Sequence, residues 1–168
     1  MNQLTLFALA RYNAYANQVL LSTAAELSLE ELRETPSPSR GSILRLIQHL
    51  FATEAAFLAQ CQGKTFKFER EKLATIAQLQ GFARQLEADL LGLVSSASED
   101  DLAQVRQIEI GGHPFRFPVW QILVQVFMHS AQHRGELSIL LSELGHPLPI
   151  SDIIVQFAGQ SGQPWPWK

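Results

Sequence analysis

Apolar residues recur every three or four positions through four long segments of this chain, and that period commits most of it to amphipathic helix. In the first, Leu6, Leu9, Ala10, Ala16, Leu20 and Ala24 form one stripe from residue 4 to about 26, with Asn13 filling its gap. "SLEE" at 28–31 has capping-box form, Ser28 placed to cap and Glu31 to reach back, so a short helical turn follows. "TPSPSRGS" at 35–42 is a loop, because its two prolines and three serines deny it a helical hydrogen-bond pattern. A second helix is predicted over about 42–61, with Ile43, Leu46, Ile47, Leu50, Phe57 and Leu58 inward, until "QGKTFKF" breaks it. A third is predicted over about 70–96, with Leu79, Phe82, Leu86, Leu90 and Leu93 on one stripe.

The period then changes. Val105, Ile108 and Ile110 lead into Gly111-Gly112, and Phe115 and Phe117 answer beyond it. Alternation across two glycines predicts a β-hairpin, whose central turn positions favour positive φ. Pro118 suits the first turn of a fourth helix, which runs to about 144, where Gly145 and Pro147 stop it. The apolar segment "ISDIIVQF" comes next. The pattern predicts one all-α domain over 1–158, a four-helix bundle with a small hairpin before the last long helix. A loosely ordered tail occupies 159–168, with Trp165 and Trp167 available to pack on the body or on a partner chain.

At 168 residues the chain is long enough to bury a core without disulfide or structural metal. A net charge of −3 gives no basic footprint for nucleic acid. Arg, Gln or His interrupts every apolar run well before the ~18 residues that a membrane span needs. The N-terminal stretch has no basic start and passes directly into amphipathic pattern, unlike a signal peptide. With a single cysteine, Cys61, no internal disulfide forms, which fits a reducing cytoplasm.

Against this background two histidines stand out. On the fourth helix Ile122, Val126, His129, His133, Leu137 and Leu140 share one stripe, so both imidazoles point into the bundle. Two neutral imidazoles in an apolar seam both need partners, and protonating either is costly. Hydrogen-bonded core histidines are one solution; a divalent cation between them is the other, and imidazole suits zinc, nickel or copper. His49 lies at the border of the apolar stripe of the second helix, so it can add a third nitrogen. Three nitrogens leave coordination positions open, which is how metal catalysis starts. Because only neutral imidazole binds metal, acidification below the ordinary pKa of ~6.5 favours release, and coordination itself moves that loss lower.

The remaining polar candidates each have two readings. Asn13 and Asn17, four apart near the inward face of the first helix, serve structural hydrogen bonds or contact substrate, and Gln125, one turn before His129, is comparable. Glu54 orients a ligand histidine or sits on a solvated face. His113, in the hairpin turn, and His146, past a helix stop, are expected in solvent. Cys61 lies twelve residues beyond His49, about 18 Å along a helix at ~1.5 Å per residue, and reads as a small buried apolar side chain.

"ARYNAYANQVLL", "GSILRLIQHLFATEAAFLA" and "FRFPVWQILVQVFMHSAQHRGELSILLSELG", in that order, resemble the DinB/YfiT-like family of metal-dependent bundle proteins over residues 4–158. The most specific element is the "HxxxHRG" run after the hairpin together with a single His in the second helix. The resemblance implies an up-down-down-up four-helix bundle and a divalent metal, usually zinc or nickel, on a histidine triad that falls on His49, His129 and His133. Glu54 stands where the family often has Asp, Phe57 where Trp is common, and Tyr15 where Trp is frequent. Relatives of this kind include transferases and isomerases that use a low-molecular-weight thiol as co-substrate, so the resemblance implies a small-molecule thiol and an electrophile as partners. A metal-dependent hydrolase and a non-catalytic, stress-related metal-binding module are the alternatives. It also implies a homodimer, to which the sequence adds Trp165, Trp167 and a modest net charge.

Overall fold

The computed structural model describes residues 2–166. Four long helices carry the fold: α1 (Gln3–Ala24), α3 (Ile43–Cys61), α4 (Ile76–Ser96) and α6 (Val119–Glu143). Between them lie α2 (Leu29–Glu34), a 3-10 turn (Arg70–Leu73), α5 (Glu99–Ala103) and a two-stranded hairpin, β1 (Val105–Ile110) and β2 (His113–Pro118); α7 (Ile153–Gln160) follows α6.

Polar contacts between the helices fix their directions. Gln3, at the start of α1, donates to the carbonyls of Val94, Ser95 and Ala97 at the end of α4, and Gln18 further along donates to Glu87, so α1 and α4 are antiparallel. Asn13 and Asn17 meet Arg134 of α6, and Glu26 meets His146 beyond it, so α1 and α6 run the same way. His49 faces His129, whereas Phe57, two turns later in α3, shares a cavity with Ile122, so α3 opposes α6. The bundle is therefore up-down-down-up.

Its core is a continuous cluster of buried aliphatic side chains, with Leu6, Leu20, Ile43, Leu46, Ile47, Leu50, Phe51, Leu79, Ile122, Leu123 and Leu137 nearly inaccessible. Burying each such side chain contributes roughly 1.5–3 kcal/mol before entropy is charged against it. The Gly111-Gly112 turn has φ of 60° and 81°, the left-handed pair that a tight hairpin requires. Antiparallel pairing then sets Ile108 opposite Phe115 and buries Ile108 against the bundle.

Several boundaries differ from the sequence reading. The third long helix begins at Ile76 rather than near 70, because Thr75 and Gln78 form a capping box that starts it. Ser98 and Asp101 do the same for α5, which periodicity over five residues could not reveal. Pro118 is extended, with ψ of 146°, and precedes the first helical residue instead of opening the first turn. "ISDIIVQF" supplies most of α7, which Gln156 ties to the carbonyl of Arg11. That helix takes in residues 159 and 160 of the expected loose tail; Trp165 is half-buried and Trp167 lies outside the described residues. Among the described residues no helix is long and apolar enough to cross a membrane.

Because the aliphatic cluster extends well beyond the histidines, chelating any bound metal should lower the melting temperature while far-UV circular dichroism at room temperature keeps most of its helical signal. Complete loss of that signal would show that the core does not hold the bundle alone.

Candidate metal centre

His49 projects from the second turn of α3, a helix opened by Ser42, whose hydroxyl accepts from the N–H of Arg45. His129 and His133 are one turn apart on α6, held inward by Ile122, Val126, Leu137 and Leu140 on the same stripe. The three rings meet edge to face, with centroids 4.4–5.1 Å apart, and their Nε2 atoms converge. His129 Nε2 lies 3.2 Å from His49 Nε2 and 3.1 Å from His133 Nε2. All three ligand nitrogens lie within 4.8 Å of one another, and an ion at ~2.0–2.1 Å from each would hold tetrahedral neighbours about 3.3 Å apart, the separation two of the pairs already have.

Protons cannot satisfy the cluster. An imidazole Nε2 carries one N–H or one lone pair, so His129 cannot serve both neighbours at once. Arg40 of the 35–42 loop also reaches in, its guanidinium donating to His49 Nε2 at 2.9 Å, which occupies that lone pair and excludes a proton from it. The Nδ1 atoms of His129 and His133 are buried without a hydrogen-bond partner. A divalent cation would resolve the conflict at Nε2, since one ion could take all three lone pairs together.

The electrostatics agree. Burial, then the Arg40 and His133 charges, lower His49 to about 4. Burial, then the neighbouring imidazoles and Arg40, lower His129 to about 4. Burial and Arg40 also lower His133, against the opposing pull of Glu136. The site is built to keep imidazole neutral, the form that binds metal.

The family model described as the DinB family matches residues 1–163. The chain belongs to the DinB family. It is also similar to Protein DinB of Bacillus subtilis (strain 168), 25% identical over 152 residues that cover 83% of this chain and 86% of that one. A DinB-like protein of Bacillus subtilis, YjoA, shares the fold with a TM-score of 0.61 at 16% identity, over 86% of this chain and 96% of that structure.

In this DinB-family chain the other sequence candidates fall in different places. Asn13 and Asn17 are buried and carry structural hydrogen bonds. Both amide N–H groups donate to Glu54 Oε1, at 2.9 and 3.0 Å, and both carbonyls accept from Arg134 Nη1 at 2.7 Å. Ser130 also donates to Glu54 Oε1. With their amides engaged on both sides, these asparagines brace the core. Glu54 is neither solvated nor paired with a ligand histidine; it is the acceptor at the centre of this network. Gln125 is exposed and lines a largely apolar cavity of about 220 Å³ with Phe57, Ile108, Ile110, Phe117, Gln121 and Ile122, one turn from His129. His113 is exposed, whereas His146 is half-buried and bonds Glu26 at 3.0 Å. Cys61 is buried, and burial pushes its thiol up to about 12.

Two residues at the site had no local signal in the sequence. Arg40 reaches the triad only because its loop folds back onto α6. Glu136 holds that loop, accepting from Ser37 Oγ at 2.6 Å and from Ser39 Oγ at 2.7 Å.

The lowered proton affinities have a measurable consequence. The unfolded chain takes up protons on these histidines below about 6.5, whereas folded His49 and His129 resist them until about 4. Apo stability should therefore fall as pH drops through that window. Proton competition for metal should set in only near the lower limit, below the value expected from unperturbed imidazole. Metal content after equilibration across this range checks it: half-loss near 6.5 would mean that burial does not protect the ligands.

Proposed function

We propose that this chain binds one divalent metal, zinc or nickel, at His49, His129 and His133 and acts with it as a transferase for a low-molecular-weight thiol. The convergence of three Nε2 atoms carries the reading. Cys61, the chain's single cysteine, is buried with its thiol far above neutral pH, so a thiol nucleophile comes from a small molecule. A divalent ion, when bound, lowers the pKa of a thiol that takes an open position and so supplies a nucleophile at neutral pH. The chain's own part is to hold the three imidazoles neutral, to align the reactants and to exclude water. Gln125 and the apolar cavity beside it suit the electrophile. In the transfer the thiolate sulfur forms a bond to the electrophilic carbon, the leaving group departs with the electron pair of the broken bond, and the thiol proton passes to water.

The test is conjugation of chlorodinitrobenzene by metal-loaded protein, with and without a panel of biological thiols, alongside His129→Ala. Thiol-dependent turnover above the uncatalysed rate in wild type, and lost in the variant, is the expected result. Turnover of ester substrates without thiol would replace the transferase by a hydrolase. Neither activity would leave a metal-binding module.

The same reading includes a cytoplasmic homodimer. Met128, Ala131, Gly135 and Ile139 share one exposed face of α6, where small residues between two apolar ones allow close helix approach. Light scattering should return twice 18.8 kDa for wild type and 18.8 kDa for Ile139→Glu. A concentration-independent monomer for wild type would refute the pairing.

A further inference from the structure

We propose that Arg40 is a specificity-determining residue of the metal centre, selecting ligands that carry a carboxylate or similar oxyanion close to the atom that meets the metal. This rests on the metal reading above and goes beyond it by naming the charge of the ligand.

Arg40 is an unmatched cation at the rim of the triad. The Arg40 side chain is exposed, and its only side-chain partner among the described residues is a neutral imidazole, His49 Nε2 at 2.9 Å. No carboxylate among the described residues pairs with it. Glu136, the acid nearest the triad, has His133 Nδ1 3.9 Å from its Oε2 and is already engaged by Ser37 and Ser39. The guanidinium thus brings to the rim of three uncharged imidazoles a positive charge that no carboxylate pairs with before any metal arrives. A divalent ion on those ligands adds two charges and takes the lone pair to which Arg40 now donates. The guanidinium must then release His49 and turn towards whatever occupies the mouth.

Its backbone does not leave. Arg40 N–H donates to Ser37 Oγ at 3.1 Å, Gly41 N–H donates to Ser37 O at 2.9 Å, and Glu136 ties Ser37 and Ser39 to α6, three residues past His133. Gly41, with φ of 86°, makes the reversal that aims residue 40 inward. The loop thus fixes the base of a long side chain at the rim and leaves its planar, two-pronged head to find a partner. That geometry matches a carboxylate or phosphate and gives nothing extra to a neutral hydroxyl or to an amine. Because the guanidinium starts one hydrogen bond from a ligand nitrogen, the anionic group must lie within a few bonds of the coordinating atom.

Cobalt-loaded protein tests this without turnover, since thiol binding at the metal changes the visible spectrum. Mercaptoacetate and mercaptoethanol differ in carboxylate against hydroxyl, and the ratio of their dissociation constants is compared in wild type, Arg40→Gln and Arg40→Lys. Intrinsic chelation cancels in that comparison. Wild type should favour mercaptoacetate about tenfold or more beyond the preference of Arg40→Gln, with Arg40→Lys between them. Equal ratios in wild type and Arg40→Gln overturn the proposal, as does loss of cobalt from Arg40→Gln, which would make the arginine a support of the ligands. Arg40 selectivity without conjugation of any electrophile would discard the transferase and keep this inference. Spectra that respond to neither thiol would discard both.

Discussion

Replacing His133 by alanine should leave the purified protein nearly free of zinc and nickel, while His113→Ala retains the wild-type content. His133 is the most buried of the three histidines, and its Nε2 closes the set from one turn beyond His129. Loss of a partner that merely orients a ligand typically weakens metal affinity 10–100-fold; loss of the ligand itself should exceed roughly 100-fold. His113 lies on the exposed hairpin and coordinates nothing in this arrangement. The fold should survive the change, because the aliphatic core does not depend on this imidazole. Elemental analysis of the two variants, each checked for native circular dichroism, measures the effect. Equal metal in both would remove His133 from the site.

Arg134→Ala should be the most damaging single change to stability. Arg134 and Glu54 are both buried, bridged by Asn13 and Asn17, whose carbonyls accept from the arginine and whose N–H groups donate to the glutamate. Burial pulls Arg134 below its usual pKa, and Glu54 opposes that pull. Removing the guanidinium leaves the carboxylate buried without its compensating charge and both amide carbonyls without a donor. Breaking a buried pair in this way costs about 3–5 kcal/mol. Glu54→Ala alone should be comparably harmful. Combining the two should cost clearly less than their sum, because the second removes a charge that the first left stranded. Urea unfolding of the two single variants and the double supplies the cycle. Additive losses, or an Arg134→Ala cost below about 1 kcal/mol, would mean that the bridge carries little coupling. The network also bears on the metal centre: Ser130 follows His129 and Arg134 follows His133, so the residues that lock α6 against α1 and α3 are next to the ligands.

That adjacency shows what the sequence could and could not reveal. The His129–His133 spacing, the apolar stripe around it and the Gly111-Gly112 turn are local signals, and each specified its geometry directly. His49 was legible as a border position of α3, although its meeting with α6 depends on the bundle. Helical spacing turned Asn13 and Asn17 inward but could not say what they would face. Their partners come from two other helices, so their structural role emerged only from packing. The capping boxes at Thr75–Gln78 and Ser98–Asp101 were written in the sequence as plainly as the one at Ser28–Glu31. They mark boundaries that apolar periodicity alone misplaced or passed over. Arg40 was the least legible: a loop arginine gains meaning only once Glu136 has drawn its loop across the triad.

Three Nε2 lone pairs holding one metal would be visible in an anomalous difference map from crystals grown with zinc or nickel, recorded at the absorption edge of that element. One strong peak per chain is expected, bonded to Nε2 of His49, His129 and His133 at about 2.0–2.1 Å, with Arg40 turned off His49. A peak at other residues, or none beside these imidazoles in protein saturated with metal, would contradict it.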